Sequence, residues 1–257
     1  MKKMFYKMPL LLAMLVLLLG TSACMKSSYN ISVDENGQAT ADIKLLGPYA
    51  EAAREKIADE YPSCRIEEIR ERDLSGYSFS FAPTRLEDLR LPGILSPSVV
   101  KDSNLFYDTY HLSCLPMRQA REDNNYRKNL EDLINCLNLD GSVYWSLTLP
   151  SEPLRHNAGR CENEGKTLIW TSSDIMSHYA ALEACERGET TEQNKILAEE
   201  DCIQASFRIY HLANILSILS LFILFCTGMI WWRHSHSSSS QQENEEPALY
   251  GPDDDQG

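Results

Sequence analysis

Residues 212–232, LANILSILSLFILFCTGMIWW, form a run of 21 positions without one charged side chain. A helix of ~20 apolar residues is what a bilayer needs, and a tryptophan pair at the end suits the membrane interface. Arg233 and His234 follow directly. A buried hairpin of a soluble core is the competing reading, and the length and aromatic end favour the span. Nothing else in the chain constrains its organisation as strongly, because every segment must be placed on one side of this run or the other.

A second apolar stretch, Met8 to Leu19, follows Lys2, Lys3 and Lys7 and is too short to span. A basic start, a short apolar core and a small-residue end are the layout of a signal peptide, predicted over 1–23. Thr21-Ser22-Ala23-Cys24 closes it. Small residues before a cysteine match a site of lipid attachment, which would make Cys24 the acylated mature N-terminus. Thr21 and Ala23 also satisfy ordinary cleavage after Ala23, which would leave Cys24 an unmodified thiol.

The chain therefore divides into a signal peptide (1–23), an ectodomain (24–172), a juxtamembrane helical hairpin (173–211), a transmembrane helix (212–232) and a disordered acidic tail (233–257). Export of the ectodomain places the tail in the cytoplasm. Of the net charge of −13, the first 23 residues contribute +3 and the tail −5, leaving −11 on the stretch between. Such a domain repels phosphate backbones, so no nucleic-acid partner is expected. Contact with membrane lipids should come from acyl chains on Cys24 and from the apolar helix, with a membrane protein as a further candidate partner.

Beyond Cys24 and Cys226, six cysteines remain: Cys64, Cys114, Cys136, Cys161, Cys185 and Cys202. An even number in an exported chain predicts disulfides, with 15 possible pairings. Cys185 with Cys202, and Cys114 with Cys136, are the first pairs to expect, each flanking or closing a predicted helical element.

The ectodomain reads as α+β: a small antiparallel β-rich domain with packed helices. Tyr29, Ile31 and Val33 alternate with polar residues, as do Ala39, Ala41, Ile43 and Leu45. The Asn36-Gly37 pair between them predicts a hairpin with a type I′ turn. Residues 49–61 predict a helix, stopped by Pro62. Strands are predicted in 64–70, 76–82, 104–112, 142–150 and 166–172, with a short helix at 85–89. Tyr126, Leu130, Leu133, Ile134 and Leu137 make an apolar stripe for a helix near 120–137. After residue 173, Asp174 is a candidate cap for one helix. Thr190 and Gln193 have capping-box spacing for a second, whose stripe is Ile196, Ile203, Phe207 and Tyr210.

The lipid-site cysteine, the mixed β domain and the C-terminal apolar helix together resemble the LppM-type bacterial lipoproteins. The most specific patch is Gly141 to Ser172, with LTLP at the end of one strand, Gly165 in the loop and TLIWT returning. The Tyr29 to Leu45 hairpin also fits. The resemblance covers roughly 24–172 and the terminal helix. It departs at Pro150-Ser151, in the six cysteines, in the helix near 120–137 and in the helical stretch after 173. It implies a fold and an address at the bacterial cytoplasmic membrane, and no activity.

Enzyme signatures are absent: there is no Gly-x-Ser-x-Gly and no His-Glu-x-x-His. His111 and Cys114 would point to opposite faces of a strand, so joint metal ligation is poor. His156 and His178 have no acid or base partner nearby in sequence, and His234 and His236 read as solvated. A non-enzyme without cofactor or metal is expected. Its predicted role is binding or scaffolding, with a lipid or other hydrophobic ligand held between aromatic faces (Tyr77/Phe79/Phe81 and Val143/Trp145). The alternative is an accessory subunit of a membrane complex, contacting partners through the helix and tail.

Overall fold

The computed structural model describes residues 25–139 and 141–239. Cys24, the predicted signal peptide and the chain from 240 onward lie outside the described residues. The elements run β1 (Lys26–Val33), β2 (Gln38–Leu46), α1 (Ala50–Glu60), β3 (Arg65–Glu71), β4 (Leu74–Arg85) and a 3₁₀ turn (Leu86–Asp88). Then come β5 (Ser98–Ser103), β6 (Tyr107–Pro116), α2 (Met117–Glu122), α3 (Asn124–Asn138), β7 (Ser142–Thr148), β8 (Arg155–His156) and β9 (Arg160–Glu162). The chain ends with β10 (Thr167–Thr171), α4 (Ser172–Glu186), α5 (Glu192–Glu199), β11 (Asp201–Tyr210) and α6 (Leu212–Ser239). The fold class is α+β, as the patterning predicts.

Among the described residues the strands form two sheets: a seven-stranded one ordered β3-β4-β2-β1-β7-β10-β9 and a four-stranded one ordered β5-β6-β11-β8. Period-2 alternation decides which face of the larger sheet is dry. Tyr29, Ile31 and Val33, with Ala39, Ala41 and Ile43, are buried, while their sequence neighbours are largely polar. β1 pairs antiparallel with β2 and parallel with β7, which brings Tyr29 opposite Trp145. Trp145 and Trp170 meet edge to face, centroids 5.3 Å apart, at the centre of the core. That core is shared by both sheets and by apolar residues of α1, α3 and α4.

The Asn36-Gly37 hairpin forms, with a different turn. The Gly37 amide donates to the Asp34 carbonyl at 3.1 Å, and Gly37 alone takes the left-handed region, φ +76°. Asn36 is right-handed, so this is a type I turn closed by a glycine bulge rather than type I′. Asp34 stabilises it by accepting the amides of Asn36 (2.8 Å) and Gln38 (2.9 Å) through Oδ1.

Three expectations fail. The predicted strand 104–112 starts late: Asn104–Phe106 is a turn, β6 begins at Tyr107, and β5, which the turn joins to it, was not foreseen. The helix near 120–137 is broken at Asp123, which caps α3 by accepting the amides of Asn125 and Tyr126. The helix carrying Ile203, Phe207 and Tyr210 ends at Glu199, and 201–210 is a strand paired along β6. The predicted helical hairpin 173–211 is therefore helix–helix–strand. The α4 cap also moves: Thr171 is N-cap, and Asp174 completes a capping box from the third helical position.

The chain divides at Tyr210. Beyond it, α6 continues past residue 232 to Ser239, and Leu212–His234 is the stretch apolar and long enough to cross a membrane.

Candidate functional site

A cleft of about 410 Å³ lies among α2, α4 and α5 and is lined by Arg121, Cys185, Glu186, Thr190, Lys195 and Glu199. Its architecture depends on Arg127 of α3. That guanidinium holds Glu186 bidentately, Nη1 to Oε1 at 2.7 Å and Nη2 to Oε2 at 2.9 Å, and Glu131 through Nε at 2.9 Å. The fork geometry ties α3 to α4. The Arg127 contact also keeps the Glu186 carboxyl below the usual range. Arg121 and Lys195 supply positive charge to the opening and Glu199 a negative one, so the cleft suits a polar rather than an apolar group.

A second cleft, about 190 Å³, lies between α1 and the β4 end, lined by Gly47, Pro48, Ala50, Glu51, Glu68, Ser75, Gly76 and Tyr77. The Tyr77 hydroxyl donates to Glu51 there. This places Tyr77 half out of the core. Phe79, Trp145 and Val143 are instead fully packed inside it. The aromatic faces expected to hold a hydrophobic ligand are core, because they lie on the dry side of the sheet against the second layer.

The six cysteines are thiols, and none is joined to another. Cys114 and Cys202 are buried on the paired strands β6 and β11, where Ile203 rather than Cys202 is the register partner of Cys114. Cys202 is not on a helix beside Cys185, as the expected hairpin required. Burial pushes the Cys64, Cys114, Cys136 and Cys202 thiols up from their ordinary values. Cys185 lines the large cleft. Cys161 is the exposed one, on the short edge strand β9.

His156 acquires a partner that sequence proximity did not reveal: its Nε2 lies 3.7 Å from Cys161 Sγ. The Ala158 amide donates to Nδ1 at 3.2 Å, so the neutral ring carries its hydrogen on Nε2 and directs it at the sulfur. That tautomer donates to Cys161 and is the wrong one to accept its proton. His178 is buried, with Nδ1 donating to the Asp174 carbonyl at 2.9 Å. His111 is exposed while Cys114 faces the core, as expected for their spacing.

A compact charged cluster sits at the opposite edge of the small sheet. Lys101 Nζ is 2.9 Å from the buried Asp108 and 3.7 Å from Glu87, and lies over the Tyr110 ring. The Asp108 contact lifts Lys101 to about 12. It locks β5, β6 and the 3₁₀ turn together.

No family model matches the chain, and no curated protein matches it in sequence. One solved structure is similar, the folded domain of the Mycobacterium tuberculosis LppM protein determined by NMR. It shows 8% identity and a TM-score of 0.37, over 74% of this chain and 92% of that one. The likeness is a remote one of chain path and carries no residue or ligand across.

Proposed function

We propose that the chain is a membrane-tethered extracytoplasmic lipoprotein whose ectodomain binds or scaffolds at the surface of the bacterial cytoplasmic membrane and catalyses nothing. The observation that carries this reading is the helix Leu212–His234, whose most apolar 18-residue window has a mean hydropathy of 2.2 and is not buried at any position. An exposed apolar helix of that length is costly in water and stable in a bilayer. It follows a domain whose larger sheet offers a polar outer face. Acyl chains on Cys24 would give the ectodomain a second attachment, and a lipid or other hydrophobic ligand is the proposed cargo.

In the subunit alternative, the helix would pack on partner helices. Its hydroxyls favour the first reading: Ser217 donates to the Ala213 carbonyl at 2.7 Å, Ser220 to Leu216 at 2.8 Å and Thr227 to Leu224 at 3.0 Å. Bonds back onto the same helix leave these groups satisfied without a neighbour. Mass spectrometry of the full chain extracted from membranes tests the proposal. An N-terminus at acylated Cys24 with co-purified lipid supports it. A stoichiometric protein partner without lipid favours the subunit, and recovery as a soluble protein defeats both.

A further inference from the structure

The geometry points to the β5–β6 turn as a further membrane contact, inserting Leu105 and Phe106 into the phospholipid leaflet that α6 enters. This rests on reading α6 as a membrane span. Leu105 is 57% exposed and Phe106 46%, unusual for two consecutive large apolar side chains at the tip of a turn. The turn presents them on an ordered backbone. The Asn104 amide donates to the Tyr107 carbonyl at 3.0 Å, and Asn104 Oδ1 accepts the amides of Phe106 (2.8 Å) and Tyr107 (3.0 Å).

The register of the small sheet fixes where this tip stands relative to the chain's exit. Tyr107, the first residue of β6, pairs with Tyr210, the last residue of β11. Phe106 and Leu105 lie one and two residues before Tyr107, and Leu212 lies two after Tyr210, so all three are within roughly 7 Å of that pair along the backbone. A bilayer's polar interface is about as deep as that interval, its headgroup layers adding ~5–8 Å to each side of the hydrocarbon. If the chain enters lipid at Leu212, the tip stands beside the residue pair from which it departs.

The side chains at that level are the ones interfaces favour. The Tyr107 and Tyr210 rings meet edge to face at 5.9 Å, and the Arg208 guanidinium lies 4.4 Å over Tyr107. Tyrosines sit well among headgroups, and an arginine beside them suits lipid phosphate. The acidic balance of the domain disfavours docking by charge alone, which leaves apolar insertion as the means of contact. The occupant is therefore lipid, not a second copy of the chain.

The test uses the full chain reconstituted in phosphatidylethanolamine–phosphatidylglycerol vesicles. The photo-crosslinking residue p-benzoylphenylalanine replaces Phe106, Tyr144 on the outer face of the larger sheet, or Leu216 within α6. The proposal expects lipid adducts at 216 and at 106, with about tenfold more at 106 than at 144, the factor that burial of one large apolar side chain supports. Adducts at 216 with none at 106, equal yields at 106 and 144, or protein-only adducts at 106 overturn it. Absence of lipid adducts at 216 itself overturns the span reading, and the insertion with it.

Discussion

Two hairpin turns solve the same local problem differently. Asp34–Gly37 joins β1 to β2, and Asn104–Phe106 joins β5 to β6. Each is closed by an Asx side chain whose Oδ1 accepts two downstream amides, at 2.8 and 2.9 Å in the first and 2.8 and 3.0 Å in the second. The first turn is polar and pressed onto the domain: a Cβ on Gly37 would lie 2.5 Å from the Tyr110 hydroxyl and 3.6 Å from Ile209. The second carries Leu105 and Phe106 outward. Asx closure makes no demand for apolar residues at a tip. The difference separates what the fold requires, a glycine against Tyr110, from what it only tolerates, two apolar side chains facing out.

The largest expected effect is at Gly37. Replacing it with alanine forces a Cβ at φ +76° toward a ring that is stacked on Phe207 and has no room to withdraw. Left-handed strain and overpacking together should cost about 3 kcal/mol. Chemical denaturation of the full chain in detergent, followed by the near-ultraviolet signal of the Trp145–Trp170 pair, would read this as a lowered midpoint. An unchanged midpoint would mean the first turn is as tolerant as the second.

Next is Lys101, which ties β5 and β6, the strands flanking the second turn, to the 3₁₀ turn. Lys101→Met leaves Asp108 buried without its cation and should cost about 2–3 kcal/mol. The wild-type contribution also has a pH signature. The folded-state value of Lys101, about 12, is above its ordinary 10.5, so the stabilisation is complete below pH 10.5 and is lost as pH rises from there through 12. Subtracting the alkaline melting curve of Lys101→Met from that of the wild type should isolate this loss. A difference that does not change across the window rules out the ion pair as its source.

The same contrast explains what the sequence made legible. The large sheet could be read because its dry face alternates cleanly: Tyr29, Ile31 and Val33 or Val143, Trp145 and Leu147 leave one choice of period. The small sheet could not. Leu105 and Phe106 continue the apolar texture of β6 and disguise a turn as strand, which also concealed β5. β11 satisfies two periods at once: Ile196, Ile203, Phe207 and Tyr210 have helical spacing, while Ile203, Ala205, Phe207 and Ile209 alternate. Pairing along the length of β6 decided for the strand. The charged cleft was invisible because Arg121 of α2 is far in the chain from Cys185 of α4 and Lys195 of α5. The His156–Cys161 contact needed β8 and β9 to fold beside one another.

A smaller effect belongs to Asp34. Its hydrogen bonds to the amides of Gln38 and Asn36 hold its carboxyl below the ordinary value. The stabilisation is therefore present above the unfolded value of 3.8 and is lost as pH falls through the lower folded one. Asp34→Ala should lower the melting temperature at neutral pH, by less than Lys101→Met does, and the difference from wild type should close in acid. A difference that persists unchanged to the lowest pH would mean the carboxylate is not what holds the first turn.

The smallest expected effect discriminates most sharply. Leu105→Ser together with Phe106→Ser should leave the ectodomain's denaturation midpoint within about 0.5 kcal/mol of wild type, since exposed positions away from caps and buried networks rarely matter more. Asn104, which closes the turn, is untouched. A loss above about 1 kcal/mol would show that the two side chains pack on the domain, and the contrast between the turns would collapse into two versions of one structural device. A neutral result leaves their hydrophobicity unaccounted for by folding. Exposed apolar area at a tip next to the Tyr107–Tyr210 pair then needs an explanation outside the domain, and the bilayer is the one that the chain's own apolar continuation supplies.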